Sequence, residues 1–345
     1  MPRVKATELT RLGTDLLEAA GAAPDEAAVV IRHLVGSNLA GHDSHGVIRI
    51  PSYVSRFKSG DIKSHAPLEF VRETETTIVA DAHWGLGYVA TEHVMAALIT
   101  KAEKMNVAAA TIFRQDHIGR LASYPLMAAE RGMIGLITAD SGRAEKTVAP
   151  FGGGEARLGS NPISIAIPSN LPGPLFIDMA TSAVSGGKVS VALARGEKIP
   201  IGWIIDSEGR PTADPSKHRT GGALLPLGGS EGYKGYGLAV VIEILCGILT
   251  GLGFGVEPTG RHNDGCFLAV FKVDAFRALD TFKQEVTDFA KYLHATRPAE
   301  GSAGVLYPGE IEYRNECERA EHGIDIEDAT WNKLIVLAKE FGVRH

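Results

Sequence analysis

The chain of 345 residues carries only three cysteines, Cys246, Cys266 and Cys317, far apart and without CxxC spacing, so neither a zinc site nor a disulfide framework is expected. Excess positive charge is also missing. Its 35 Lys and Arg against 41 Asp and Glu leave a formal charge of −6, which argues against a nucleic-acid partner. No apolar run reaches the ~18 to 20 residues of a membrane span. The most apolar stretch, Leu238–Leu249, is broken by Glu243 and Gly247, so no membrane association is expected. Met1-Pro2-Arg3-Val4-Lys5 lacks the apolar core and small-residue cleavage site of a secretory signal, and a cytoplasmic location is the expectation. Repeats and low-complexity segments are absent.

What the chain does have is glycine and proline, 40 and 17, clustered at points such as Gly152-Gly153-Gly154 and Pro308-Gly309. Such clusters mark turns. Between them the periodicity changes along the chain. Leu9, Leu12, Leu16 and Ala20 recur at helical spacing, Pro24 opens a second helical run through Leu34, and a third spans Ile50 to Gly60. From Thr76 strands and helices alternate: strand 77–80, helix 88–104, strand 108–113, helix 121–131, strand 134–138. Further strands are expected at 163–167, 175–178, 203–206 and 266–273, and an apolar helix at 235–249. Helices return at 276–293, 310–321 and 329–341. The pattern predicts an α+β (mixed α/β) protein with a large mixed sheet, and a helical layer in which the two chain ends pack together.

Gly85-Leu86-Gly87-Tyr88-Val89-Ala90 is a GxGxxA between a predicted strand and helix, the dinucleotide fingerprint. The acidic residue that should follow about 20 positions on is missing, however. The alternative, a glycine turn that lets helix and strand pack closely, is favoured. His42-Asp43-Ser44-His45-Gly46 places two imidazoles, a carboxylate and a hydroxyl beside Arg49 and Tyr53, which lie four apart on one helical face. Two histidines are too few for a metal shell, and no metal is expected. A capping loop is one reading, since Asp43 and Ser44 are good N-caps. The other is catalytic: a histidine moves a proton and Arg49 grips a carboxylate bidentately. No GxSxG surrounds Ser44, which disfavours a hydrolase. His117-Ile118-Gly119-Arg120, after a strand and before a helix, suits an anion. Gly159-Ser160-Asn161-Pro162, Asp178-Met179-Ala180-Thr181-Ser182 and Lys234-Gly235-Tyr236-Gly237 each have the layout of a ligand loop.

In this order, and with Gly187-Lys188 and Pro308-Gly309-Glu310, these segments resemble the malate/L-lactate dehydrogenase family of NAD(P)-dependent oxidoreductases that lack the Rossmann fold. That family includes sulfolactate and ureidoglycolate enzymes and cyclic ketimine reductases. The wording around Asn38–His45 and Pro51–Val54 looks most like its bacterial hydroxycarboxylate dehydrogenase B group. The resemblance covers nearly the whole chain. It implies a helical domain of residues 1–65 and 285–345 and a mixed-sheet, NAD(P)-binding domain of residues 66–284, in a homodimer acting on a small carboxylate substrate. By similarity His45 is the acid/base with Ser44 beside it, although some members use the position of His117. Arg49, Tyr53, Ser160 and Asn161 would meet the substrate. Cofactor contacts would fall on Gly119, Arg120 and Leu121, on Phe176, Ile177, Asp178, Met179 and Ala180, on Lys188, on Tyr233 and Lys234, and on Gly309, Glu310, Ile311 and Glu312. The implied reaction reduces a 2-oxo acid to a 2-hydroxy acid, with cyclic ketimine reduction as the alternative. Two positions depart from the family: Tyr233 stands where His is usual before Lys-Gly-Tyr, and Ser160 where Thr is usual.

Overall fold

The computed structural model describes residues 1–140 and 142–344. A two-residue strand β1 (Arg3–Val4) leads into α1 (Ala6–Ala19), which buries Leu9, Leu12, Leu16 and Leu17 at three- and four-residue spacing. Helix α2 (Pro24–Leu39) starts on a proline whose fixed φ and missing N–H suit a first turn. Two 3₁₀ turns, Asp43–His45 and Val47–Arg49, then feed α3 (Ile50–Ser59), which Gly60 ends at φ 78°.

The central part runs β2 (Glu69–Glu73), β3 (Thr77–Gly85), α4 (Gly87–Met105), β4 (Val107–Gln115), α5 (Ser123–Glu130), β5 (Met133–Ala139), β6 (Ile163–Ile167) and β7 (Leu175–Met179). It continues through α6 (Gly186–Arg195), β8 (Ile204–Ile205), β9 (Pro211–Thr212), β10 (Ala223–Leu224), α7 (Tyr233–Glu243) and β11 (Asp264–Lys272). Helices α8 (Leu279–His294) and α9 (Glu310–His322), the short strand β12 (Ile324–Asp325) and α10 (Asp328–Phe341) complete it.

Seven strands form one mixed sheet in the order β2-β3-β4-β11-β5-β6-β7, with β3 and β4 parallel across the α4 crossover and the other neighbours antiparallel. Val94, Met95 and Leu98 of α4 pack on Ile78, Ile112, Leu268 and Val270 of the sheet. Each such side chain contributes about 1.5–3 kcal/mol by leaving water. A second apolar cluster joins Leu9, Leu12, Leu16, Ile31 and Leu34 to Ile324, Leu334 and Ala338, so residues from both chain ends share one core. β1 pairs with β12, and Arg3 grips Asp325 with two bonds of 2.8 and 2.7 Å. Among the described residues no helix is long and apolar enough to cross a membrane.

The differences from expectation have local causes. The segment around Ile204–Ile205 does not join the large sheet but sits in a three-stranded one, β10-β8-β9, because Gly202 and Gly209 turn the chain on either side. Helix α6 was not foreseen, since its Gly186-Gly187 start lacks helical propensity; the Ser185 hydroxyl caps it by accepting from Lys188 N at 3.3 Å. Edge strand β2 escaped notice because Glu69, Arg72 and Glu73 make it polar, a common treatment of edges. The apolar helix begins at Tyr233 and loosens into a π-helical turn at Ile244–Ile248.

The pairing registers decide where the functional segments go. Gly85 and Asp264 both lie opposite Gln115, Cys266 lies opposite Ala139, and Ile163 pairs with Thr138 and Met179. The chain at 83–87, 115–121, 139–140, 142–143, 160–163, 178–182 and 262–264 is therefore gathered at one end of the sheet.

Candidate active site

Asn38, at the end of α2, organises the histidine loop: its Oδ1 accepts from Val47 N at 2.8 Å and its Nδ2 donates to Asp43 Oδ1 at 2.7 Å. Gly46 lies so close that a Cβ there would meet the Asn38 amide at 2.2 Å, so only glycine fits. From α9, Arg319 donates to Asp43 Oδ1 at 2.8 Å and to the Asn38 carbonyl. In the loop so held, Ser44 Oγ and His45 Nδ1 are 3.0 Å apart, and Arg49 Nε donates to the Ser44 carbonyl at 2.8 Å. His42 instead turns to Glu312 Oε1 at 3.2 Å, so the two imidazoles serve different neighbours.

His117 enters from the sheet side. Its ring stacks on that of His45, 5.9 Å between centroids and 14° from parallel. Its Nδ1 is 2.8 Å from the Tyr53 hydroxyl, which is 3.0 Å from that of Tyr88 on the first turn of α4. Gly119, at φ 71°, has no alternative, because a Cβ would sit 2.4 Å from the Tyr88 ring. Asp116 is buried, bonded to Arg56 Nη1 at 2.6 Å and to His117 N. On the far side His262 stands edge-on to His117 at 5.9 Å and pairs with Asp264 at 3.0 Å.

Sequence reasoning did not single out Arg56, Tyr88, His262 or Asp264. Tyr88 lies inside the GxGxxA turn but as a packing residue, and the other three belong to no local motif; the β11–β4 register and the α3–α4 contact deliver them. The GxGxxA turn is a packing device: a Cβ on Gly87 would lie 2.0 Å from the Asp116 carbonyl, so the start of α4 faces protein backbone.

Burial, reinforced by Arg49, His42 and Arg120, lowers His45 to a pKa of about 4. Burial also carries His117 well below the ordinary histidine value, helped by Arg49, His262, His45 and Arg56. Both rings are thus neutral at pH 7 and able to accept a proton. His262 goes the other way. Burial disfavours its charge, but the adjacent Asp264 carboxylate outweighs that and raises it. Burial pushes Asp116 up to about 6 despite Arg56.

A second group of candidates adjoins the first. Arg120 is buried over the Phe176 ring, 5.2 Å away, and approaches Glu316 at 3.6 Å, while its Nε and Nη2 have no partner among the described residues. Asp178 Oδ2 accepts from Ala122 N at 2.8 Å, and burial raises its pKa. Pro308 O receives Phe176 N at 3.1 Å, and Gly309, at φ 95°, packs where a Cβ would strike Pro174 O. Residues 119–121, 176–180 and 309–312 therefore meet along edge strand β7. Leu121 is buried, Met179 pairs with Ile163, and Ile177 and Ile311 are exposed. Glu310 is engaged by His294 and Arg314, both at 2.6 Å. The start of α7, with Tyr233 and Lys234 exposed, is brought alongside by Leu227, which bonds Thr181 O at 2.9 Å and packs on Gly235. Lys188 is exposed on α6, and its side chain makes no hydrogen bond or ion pair among the described residues.

Asn161, at φ 35°, aims its side chain into α7, donating to Ala239 O at 3.0 Å and Glu243 Oε2 at 2.9 Å. Glu243 in turn pairs with buried Lys146 at 3.2 Å. The Ser160 carbonyl accepts from the Thr181 hydroxyl at 3.0 Å.

Residues 4–335 match the family described as malate/L-lactate dehydrogenase. An L-lactate dehydrogenase of Cupriavidus necator is 35% identical, covering 99% of this chain and 98% of its own. A hydroxycarboxylate dehydrogenase B of Escherichia coli O157:H7 is 33% identical over 94% of this chain and 90% of its own. A crystal structure of malate dehydrogenase from Entamoeba histolytica superposes with a TM-score of 0.95 at 30% identity, covering 100% of this chain and 99% of that one. The chain belongs to the malate/L-lactate dehydrogenase family, oxidoreductases that act on hydroxy acids.

Proposed function

We propose that this protein reversibly reduces a small 2-oxo acid to the 2-hydroxy acid with NAD(P)H, in the cytoplasm and as a homodimer. The observation that carries the reading is the stacked pair His45 and His117 beside Arg49, whose guanidinium among the described residues is bonded only to a backbone carbonyl. Arg49 is free to take the substrate carboxylate through its remaining N–H groups. In oxidation, neutral His45 receives the proton of the C2 hydroxyl, with Ser44 orienting its ring through Nδ1; in reduction it returns that proton to the carbonyl oxygen. A carboxylate on Arg49 cancels one of the charges that depress both imidazoles, so substrate binding itself raises their basicity.

The unpartnered N–H groups of buried Arg120, the exposed lysines Lys188 and Lys234 and the open edge at Phe176–Ala180 fit an anionic nucleotide. Together with Gly309–Glu312 they would hold NAD or NADP, which when bound supplies or takes up the hydride. Exposed apolar side chains on one stretch, Val241, Ile244, Ile248, Leu249 and Phe254, support the dimer. In this reading the helical layer (residues 1–65 and 285–345) brings His45 and Arg49, and the sheet domain (66–284) brings His117 and most of the nucleotide contacts.

The test follows absorbance of NADH and, separately, NADPH with pyruvate, oxaloacetate, phenylpyruvate and sulfopyruvate beside two cyclic ketimines. Turnover of oxo acids is expected. Turnover confined to ketimines would replace the reading with imine reduction by the same histidines.

A further inference from the structure

The resemblance places Tyr53 with Arg49 against the substrate, but its hydroxyl is already engaged twice. Only 3% of Tyr53 is exposed, and its Oη lies 3.0 Å from that of Tyr88 and 2.8 Å from His117 Nδ1. Tyr88, 1% exposed, is boxed in by the Tyr53 and His33 rings, with centroids 6.1 and 5.2 Å away, and by Gly119. Its hydroxyl has no other partner among the described residues. The two hydroxyls carry two protons, and burial fixes where both go. If Tyr88 donates to Tyr53 and Tyr53 to His117, each proton has an acceptor. If the chain ran the other way, from His117 Nδ1–H through Tyr53 to Tyr88, the Tyr88 proton would be buried without one, at a cost larger than the net contribution of a hydrogen bond. Nδ1 is therefore the acceptor. A neutral imidazole has one N–H and one lone pair, so the proton of His117 sits on Nε2. His45 has no such constraint. Its Nδ1 neighbour, Ser44 Oγ at 3.0 Å, belongs to an exposed residue, so that hydroxyl can accept from the ring and give its own proton to water.

We propose that Tyr53 and Tyr88 are positioning residues that hold His117 in its Nε2–H tautomer, so that this ring meets the substrate oxygen as a hydrogen-bond donor and leaves the proton transfer to His45. The role given to the donor rests on the oxidoreductase reading above; the tautomer does not. In oxidation the C2 hydroxyl proton passes to the lone pair of His45 Nε2, while His117 Nε2–H bonds the same oxygen as it becomes a carbonyl. The two rings cannot exchange roles, because the lone pair of His117 is covered by the Tyr53 hydroxyl. Burial together with Arg49 and His262 keeps His117 neutral, and a neutral ring can polarise a carbonyl without giving up its proton. Tyr53 lies one turn beyond Arg49 and Tyr88 opens α4, so the same two bonds also tie the helix that follows Arg49 to the sheet.

The experiment labels the histidines of the full chain with ¹⁵N and reads the protonation of each ring nitrogen in long-range ¹H–¹⁵N correlation spectra at pH 8, the His117 signals being those lost in His117→Gln. The wild type is expected to show Nδ1 unprotonated and Nε2 protonated. Tyr53→Phe should move the Nδ1 resonance to that of an unbonded nitrogen and admit the second tautomer, and Tyr88→Phe, which keeps the direct donor, should move it less. A protonated Nδ1 in the wild type, or no change in Tyr53→Phe, would overturn the proposal. The kinetic arm uses glutamine, whose amide can donate from near the place of Nε2 but takes up no proton. With oxaloacetate and pyruvate, His117→Gln should stay within about 10-fold of the wild-type kcat, whereas His45→Gln should lose about 10²–10⁴-fold. The reverse order would also overturn it. Thermal melting checks folding, and if Tyr53→Phe melts early the wild-type and Tyr88→Phe spectra decide. If the wild type turns over no 2-oxo acid, the oxidoreductase reading falls and the spectra alone judge the tautomer.

Discussion

His45 and His117 stack nearly parallel, 5.9 Å between ring centroids, one carried by the loop that leaves the N-terminal helices and the other by the exit of a central strand. Burial and Arg49 depress both rings, His45 adds to the depression of His117, and each has its Nδ1 engaged by a hydroxyl, Ser44 for one and Tyr53 for the other. Their second nitrogens are the ones left to meet a substrate.

His45→Asn should lower kcat by about 10²–10⁴-fold while nucleotide affinity, followed by fluorescence, changes little. His117→Asn tested in parallel assigns the proton: the histidine whose loss removes the acid limb of the pH–rate profile is the one that carries it. Full activity of His45→Asn would reject the assignment made here.

Removing the charge of Arg49 should move a titration as well as weaken binding. The free His45 imidazole is held to about 4, with Arg49 the largest cause after burial. A general base must be neutral to work, so oxidation by the wild type should keep its kcat/KM down to acidic pH and fall only as pH approaches that value. In Arg49→Met the limb should shift to higher pH, because one depressing charge is gone, and KM should rise. Arg49→Lys should leave the limb nearly in place while raising KM about 10-fold, since a point charge cannot replace the two-pronged fork.

Asp140 predicts a pH-dependent stability. Among the described residues its hydrogen bonds, from Gly142 N at 3.0 Å and Gly265 N at 3.1 Å, both go to Oδ1, and Oδ2 is buried without a partner. Burial and the nearby Asp264 push its pKa from 3.8 to about 7. Between those two values the folded state binds more protons than the unfolded one, so this residue's contribution falls as pH rises. Asp140→Asn keeps the Oδ1 acceptor and removes the charge. It should be more stable than the wild type by about 1–3 kcal/mol at pH 8, with the gain vanishing near pH 4, as measured by denaturant unfolding at both values.

Much of this architecture is legible from periodicity. The strand expected at 163–167 is β6, and the helices at 24–39, 87–105 and 328–341 follow their apolar spacing within a few residues. The elements that escape are those whose signal is local and weak: a helix opening on two glycines, and an edge strand made of charged residues. The same holds for the site. His45, Arg49 and His117 stand out because each sits in a compact run of polar residues and glycine. His262, Asp264 and Arg56 do not, because what makes them neighbours is strand register and helix packing across long stretches of chain.

The gathering of six separate segments at one end of the sheet has a consequence for how the chain acquires chemistry at all. The histidine pair and its arginines lie within residues 45–120, but the site also needs His262 from the last hundred residues and the clamp on Asp43 from Arg319. Loop closure over such separations is slow relative to local helix formation. Activity should therefore emerge in one late, cooperative step, when β11 slots between β4 and β5, and not grow gradually as the helices form.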